Sequence, residues 1–265
     1  MRSNSARLAI LAAVFMGAAA SLCAGVTAQP PSYTPQGIVH AATQTAEALA
    51  PNTIATIYGT NLAYSTESAT SSTLVGGSLP QSLGGVGVIV SGWQANVFFV
   101  SPTQINFLIP YQLIPGPVTV VVTCQGLAGP TIQIQLNSTA PGMFLYNGFV
   151  LATHLDGTLL TPSSPAGPGE IIVIYAVGLG KVTPPTTSGK IVTSAASIAL
   201  AAQMRILLSG TPCPSANVLY AGLAPGFSGL YQINLIVPPL TPPNPEIRIS
   251  FGDQISPPAV QLAAQ

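Results

Sequence analysis

Gln104-Ile105-Asn106-Phe107-Leu108-Ile109-Pro110 returns 128 residues later as Gln232-Ile233-Asn234-Leu235-Ile236-Val237-Pro238. In each copy Gln and Asn stand two apart with Ile between them, the period of a β-strand. Each copy closes on a proline, which cannot donate to a ladder and so ends the strand. A second pair, Ile57-Tyr58-Gly59-Thr60-Asn61-Leu62 and Ile174-Tyr175-Ala176-Val177-Gly178-Leu179, repeats less closely, in the same order and offset by 117 residues. Two similar modules with insertions in their loops fit these offsets. Of the 265 residues, 48% are apolar and only 5% are charged, against roughly 25% charged in an average soluble domain. Gly and Pro stand at 26 each without a three-residue period, which excludes collagen. With so much Val, Ile, Thr and Ser, the composition describes many short strands joined by tight turns.

Residues 1–28 read as a signal peptide. Arg2 and Arg7 supply a positive start, Leu8 to Ala20 an apolar stretch, and Val26-Thr27-Ala28 a small-x-small cleavage pattern. Cys23 follows Leu22, where lipidation calls for a small residue, so cleaved export is the reading adopted. No later run reaches the ~18 apolar residues of a membrane-spanning helix. Past residue 28, Lys181, Lys190, Arg205 and Arg248 face six acidic residues. Four scattered cations form no basic stripe, which argues against nucleic acid as a partner. So few charges also protect poorly against association, and self-association is one expected behaviour. Cys124 and Cys213 sit at different places in the two repeats, leaving open either a bridge between modules or two separate thiols.

Along the chain, residues 29–37 read as an extended leader, and 38–45 as a first strand or short helix. Further strands are expected around Ile57, at Val86 to Val90, Ala95 to Val100, Gln104 to Ile109, Val118 to Cys124 and Thr131 to Leu136. Ser91-Gly92 supplies a hairpin turn. The natural junction is Thr139-Ala140-Pro141-Gly142. Beyond it, Met143 to Leu155 leads to a turn at Asp156-Gly157, followed by strands at Glu170 to Val177, Met204 to Leu208, Asn217 to Ala221, Tyr231 to Val237, Glu246 to Phe251 and Ala259 to Leu262. Residues 191–202 read as strand or short helix. About seven short strands per module is the count of a sandwich. The expected fold is therefore all-β, two tandem immunoglobulin-like β-sandwich domains at 29–138 and 139–265.

These runs carry a resemblance. Each module resembles the IPT/TIG class of immunoglobulin-like domain. The chain beyond the signal is similar to an uncharacterised family of secreted acidobacterial proteins, the Solibacter uncharacterised C-terminal domain family. The similarity lies in Ala50-Pro51, Ile57 to Ala63, Val100-Ser101-Pro102-Thr103-Gln104-Ile105-Asn106-Phe107 and Ala140-Pro141-Gly142-Met143-Phe144. It continues in Asp156-Gly157-Thr158, Gly178-Leu179-Gly180, Tyr220-Ala221-Gly222 and Gln232-Ile233-Asn234. His40 departs from the pattern, which has Asn there. The resemblance implies export and fold, and it brings no catalytic residues.

The residues themselves offer little chemistry. His154-Leu155-Asp156 places an imidazole and a carboxylate on one side of a strand, yet Asp156-Gly157 is explained as a turn, and His40 reads as a loop or edge residue. No Gly-x-Ser-x-Gly elbow, Cys/His cluster, Asp-rich loop or phosphate-binding Gly-rich motif is present, so neither an enzyme, a metal nor a cofactor is expected. The candidate binding residues are Trp93, Gln104, Asn106, Gln232 and Asn234. The repeated amides would form ladders able to bond a sugar or a partner strand, or would satisfy groups within each module. Trp93, Tyr64, Tyr111 and Tyr146 are of a type that stacks on sugars or packs the modules. Asn137-Ser138-Thr139 matches a glycosylation sequon that a bacterial source would make incidental. The function expected is that of an exported, non-enzymatic binding or adhesion protein, secreted or periplasmic or at the cell surface, whose partner is a protein or a glycan. The alternatives are a carbohydrate-binding module and a self-associating envelope component.

Overall fold

The computed structural model describes residues 29–265, so the signal-peptide reading and Cys23 lie outside the described residues. Strands of three residues or more are numbered here. The first half holds β1 (Ser32–His40), β2 (Ile54–Thr60), β3 (Val86–Val90), β4 (Asn96–Val100), β5 (Gln104–Leu108), β6 (Gly116–Cys124) and β7 (Ile132–Leu136). The second holds β8 (Ala152–His154), β9 (Ile171–Val177), β10 (Met204–Leu208), β11 (Val218–Leu223), β12 (Tyr231–Ile236) and β13 (Ile247–Phe251). The described helices are three single turns of 3₁₀ type, and the fold is all-β with immunoglobulin-like sandwich architecture.

In the first half one sheet runs β1-β2-β5-β4 and ends on the short strand Glu67–Ser68, while a second is built on β6 and β3 with β7 beside β6. Their inward residues meet in one apolar layer: Ile57, Ile105 and Phe107 from the first sheet, and Val88, Val90, Val120 and Val122 from the second. The second half repeats this arrangement of layers. One sheet carries β8-β9-β12-β11 and the other β10-β13, with Ile172, Ile174, Ile233 and Leu235 facing Ile206, Leu208, Ile247 and Ile249. Alternating apolar residues drive both layers, because burial of one face of each strand fixes its register.

The hairpin at Ser91-Gly92 forms with both residues at positive φ, as a two-residue turn requires. Its return strand, however, divides between sheets. Trp93–Gln94 pairs with β3, after which the chain crosses through fully buried Ala95 and β4 joins β5 in the other sheet. Ser209-Gly210, Thr211–Pro212 and β11 make the same crossing in the second half.

Other departures are local. The leader is not featureless: β1 begins at Ser32, and Tyr33 is buried, donating its hydroxyl to the Pro130 carbonyl at 2.6 Å and accepting from the Val122 N–H at 2.8 Å. Residues 191–202 hold only Ser197–Ile198 as strand and a 3₁₀ turn at Ala201–Gln203. Ala259 to Leu262 makes isolated bridges from Gln261 in place of a strand, and the final hairpin is closed by Gln254–Ile255. Cys124 and Cys213 are free and lie in different cores, where burial pushes the Cys213 thiol up to about 11.

The halves meet through a third apolar cluster to which both contribute: Ala41, Ile54 and Leu108 from the first, and Phe144, Leu151, Val177, Ala224 and Leu230 from the second. Tyr111 leaves the first half to join the second core, where its hydroxyl donates to the Val182 carbonyl at 3.1 Å. In return Tyr231, fully buried, has its hydroxyl held from both sides. It accepts from Asn52 Nδ2 at 3.0 Å and donates to the Gly180 carbonyl. Desolvation pushes this phenol far above its ordinary pKa, so it stays a neutral donor. The approach is too close for side chains in places. A Cβ on Gly229, which has φ +69, would stand 2.3 Å from Leu108 Cδ1 of the first half.

Tyr231→Phe keeps the ring but strands a buried amide N–H and a buried carbonyl, at a cost of about 1–3 kcal/mol. In urea titration we expect a lower midpoint with an unchanged m-value; an unchanged midpoint would mean the hydroxyl is not needed at the junction.

Candidate functional site

The repeated amides occupy matching places. Gln104 lies across from Tyr58, and Gln232 across from Tyr175. In each copy Gln Nε2 donates to the Oδ1 of the Asn two residues on, at 3.0 Å for Asn106 and 3.2 Å for Asn234. Asn106 Oδ1 also accepts from the Thr56 hydroxyl at 3.0 Å. Asn106 is sealed from solvent, so it cannot touch a ligand, whereas Gln104, Gln232 and Asn234 are half-buried. The Asn106 Nδ2 has no hydrogen-bond partner among the described residues. Trp93 is 50% exposed beside its hairpin, and Tyr64 and Tyr146 are likewise exposed. Tyr111 is not available for stacking, because it is built into the second core.

His40, read from sequence as a loop or edge residue, does stand on the outer strand of its sheet, but it is not exposed. It ends β1 and is 3% exposed at the junction of the halves. Its Nε2–H donates to the Ala140 carbonyl at 3.0 Å, while Nδ1 accepts from the Ala42 and Thr43 N–H groups. That pattern requires the neutral ring, and burial pulls its pKa down to about 4 from 6.5, against a smaller upward pull from the Ala140 carbonyl.

Above this histidine opens a cleft of about 200 Å³. Three separate segments line it: the turn after β1 with Thr43, Glu47 and Ala48; the connector with Asn137, Ala140 and Pro141; and Gln254 with Ile255 after β13. Asn137 is the sequon asparagine. Its Nδ2 donates to Gln254 Oε1 at 2.6 Å, which spends the amide on the opposite half.

A second constellation was hidden because no motif spacing ties its members. His154 Nδ1 pairs with Glu170, and its Nε2 lies 3.2 Å from the Ser164 hydroxyl. Serine, imidazole and carboxylate stand in the order of an acyl-transfer triad. The donors such a site needs for an oxyanion are missing from its usual places. The Ser164 N–H is bonded to Thr161, and residue 165 is proline, which has no N–H. The other Glu170 oxygen accepts from the Gly167 N–H at 2.8 Å. The three side chains thus brace the 161–169 loop. Asp156 does not join them; its carboxylate accepts from Thr158 and closes the turn, and these bonds hold its pKa below the usual range. Among the described residues no group of three His, Cys, Asp or Glu side chains could hold a metal ion.

Residues 44–139 match the IPT/TIG domain, a span that takes in β2 to β7. No curated protein matches the chain. Among solved structures, the surface glycan-binding protein PbSGBP-B from Prevotella bryantii aligns at 12% identity over 85% of this chain and 40% of its own, with a TM-score of 0.26. The Bacteroides ovatus mixed-linkage glucan utilization locus SGBP-B, in complex with a mixed-linkage heptasaccharide, aligns at 11% identity over 91% of this chain and 46% of its own, with a TM-score of 0.34. The chain spans less than half the length of either structure. At these TM-scores neither likeness bears on ligand or mechanism.

Because the folded His40 titrates near 4 and the unfolded near 6.5, the unfolded state takes up more protons between those values. Stability should be full above pH 6.5 and fall as pH drops toward 4, by about 3 kcal/mol in all. Denaturant midpoints measured at half-unit pH steps check this, and His40→Asn should flatten the slope over that window.

Proposed function

We propose that the chain is an exported binding or adhesion protein of the cell envelope or extracellular space. After a signal peptide at 1–28 come two immunoglobulin-like sandwiches, 29–138 and 139–265. The duplication is supported by register: β4 against β5 and β11 against β12 each carry one extra residue, Phe98 and Leu219, at the same step. The observation that carries the binding reading is the display of uncharged contact groups on a fixed scaffold. Trp93, Tyr58, Tyr64 and Tyr146 are each 41–50% exposed on strands or turns of a chain that has few charges. Exposed aromatics with one apolar face and one polar tip are the usual anchors of such contacts. They also favour carbohydrate recognition as the second reading. Among the described residues no helix is long and apolar enough to cross a membrane.

Purified Gln29–Gln265, passed over polysaccharides and envelope fractions of its source, should be retained by one glycan or one protein. Trp93→Ala should reduce that retention several-fold. The same protein should hydrolyse p-nitrophenyl acetate no faster than its Ser164→Ala variant. A Ser164-dependent rate would instead make the loop constellation catalytic.

A further inference from the structure

We propose that the cleft between the halves is a saccharide site that takes one neutral hexose unit, an inference that rests on the binding reading above and gives it a place. Position is the first argument. The cleft is walled by β1's following turn, the connector and the final hairpin, so both halves build it. Its base is fixed, since His40 and Ala140 are hydrogen-bonded to each other beneath it. Sites between domains are where small ligands commonly bind.

Size is the second. At about 200 Å³ the cleft is smaller than the roughly 300–1,000 Å³ of pockets for drug-sized ligands. A single sugar ring suits that size.

Chemistry is the third and most selective. The Glu47 carboxylate is exposed and makes no hydrogen bond among the described residues, which leaves two oxygens to accept from adjacent hydroxyls. The Asn137–Gln254 amide pair uses one group from each side chain. Whichever way the two amides are turned, one carbonyl oxygen and one NH₂ remain for a ligand. Ile255, 41% exposed, and Pro141 give an apolar wall for the C–H face of a ring. No Lys or Arg lines the cleft, and the His40 ring at its base is neutral and already hydrogen-bonded, so nothing there would neutralise a phosphate or carboxylate. An anionic sugar would meet Glu47 instead.

The test is titration of Gln29–Gln265 with methyl glucoside, galactoside and mannoside and with glucuronate, read by calorimetry and by saturation-transfer NMR. One methyl hexoside should bind, and glucuronate at least tenfold more weakly than glucoside. Glu47→Ala and Gln254→Ala should each weaken the sugar at least tenfold. Glu47→Gln should narrow the discrimination against glucuronate. Unaltered circular dichroism and melting confirm that the variants fold, since both side chains lie at the surface. Sugar binding that survives Glu47→Ala and Gln254→Ala overturns the cleft assignment and leaves the binding reading intact. Retention of a protein partner with no hexoside bound overturns it in the same way. Loss of both sugar and protein retention sinks the two together.

Discussion

The hydroxyl of Tyr231 sits wholly out of water between an amide from one half and a carbonyl from the other. A buried donor or acceptor left without a partner costs about 1–3 kcal/mol, so Asn52, Tyr231 and Gly180 hold one another to a single geometry. Tyr111 reciprocates by filling the opposite core and bonding Val182. Between these two tyrosines lies the shared apolar cluster, which separation of the halves would expose to water. The orientation of the halves follows from these contacts, and so does the cleft, whose walls come from both.

Scarcity of charge runs through the rest. With six basic and six acidic residues in 265, the chain settles its buried polar groups through neutral bonds: Thr56 and Gln104 to Asn106, His40 to Ala140, and Tyr33 to Pro130 and Val122. The described residues contain one side-chain ion pair, His154 with Glu170, and it braces a loop. A surface of this kind meets partners through hydrogen bonds and apolar contact more than through long-range steering. Neutral ligands are the natural complement to it.

The strands were largely legible because their signals are local. Gln104 to Ile109, Val86 to Val90 and Tyr231 to Val237 alternate or end on turn residues within a few positions, and Ser91-Gly92 marks its own hairpin. What escaped depends on distant partners. Tyr33 reads as leader until Val122, 89 residues away, donates to its hydroxyl and Pro130, 97 residues away, accepts from it. Asn52 and Tyr231 are 179 residues apart, and the burial of His40 depends on Ala140, 100 residues on. Ser164 and Glu170 stand only 10 and 16 residues from His154, but no motif spacing ties them. Gln104 and Asn106 show the limit from the other side. Their shared face was readable from the strand period, yet the complete burial of Asn106 was not. The cleft belongs to the same class, since its three walls come from segments with no common pattern.

The two cysteines supply the most direct measurement of whether the junction makes one body of the halves. Cys124 is buried in the first core and Cys213 in the second, so each thiol reports the opening of its own core. Labelling of both sites in Gln29–Gln265 across a urea series, resolved by peptide mass, gives two transition midpoints. Coupling through Asn52, Tyr111 and Tyr231 predicts one shared midpoint. Labelling of either cysteine at clearly lower urea, with the other still protected, would contradict it.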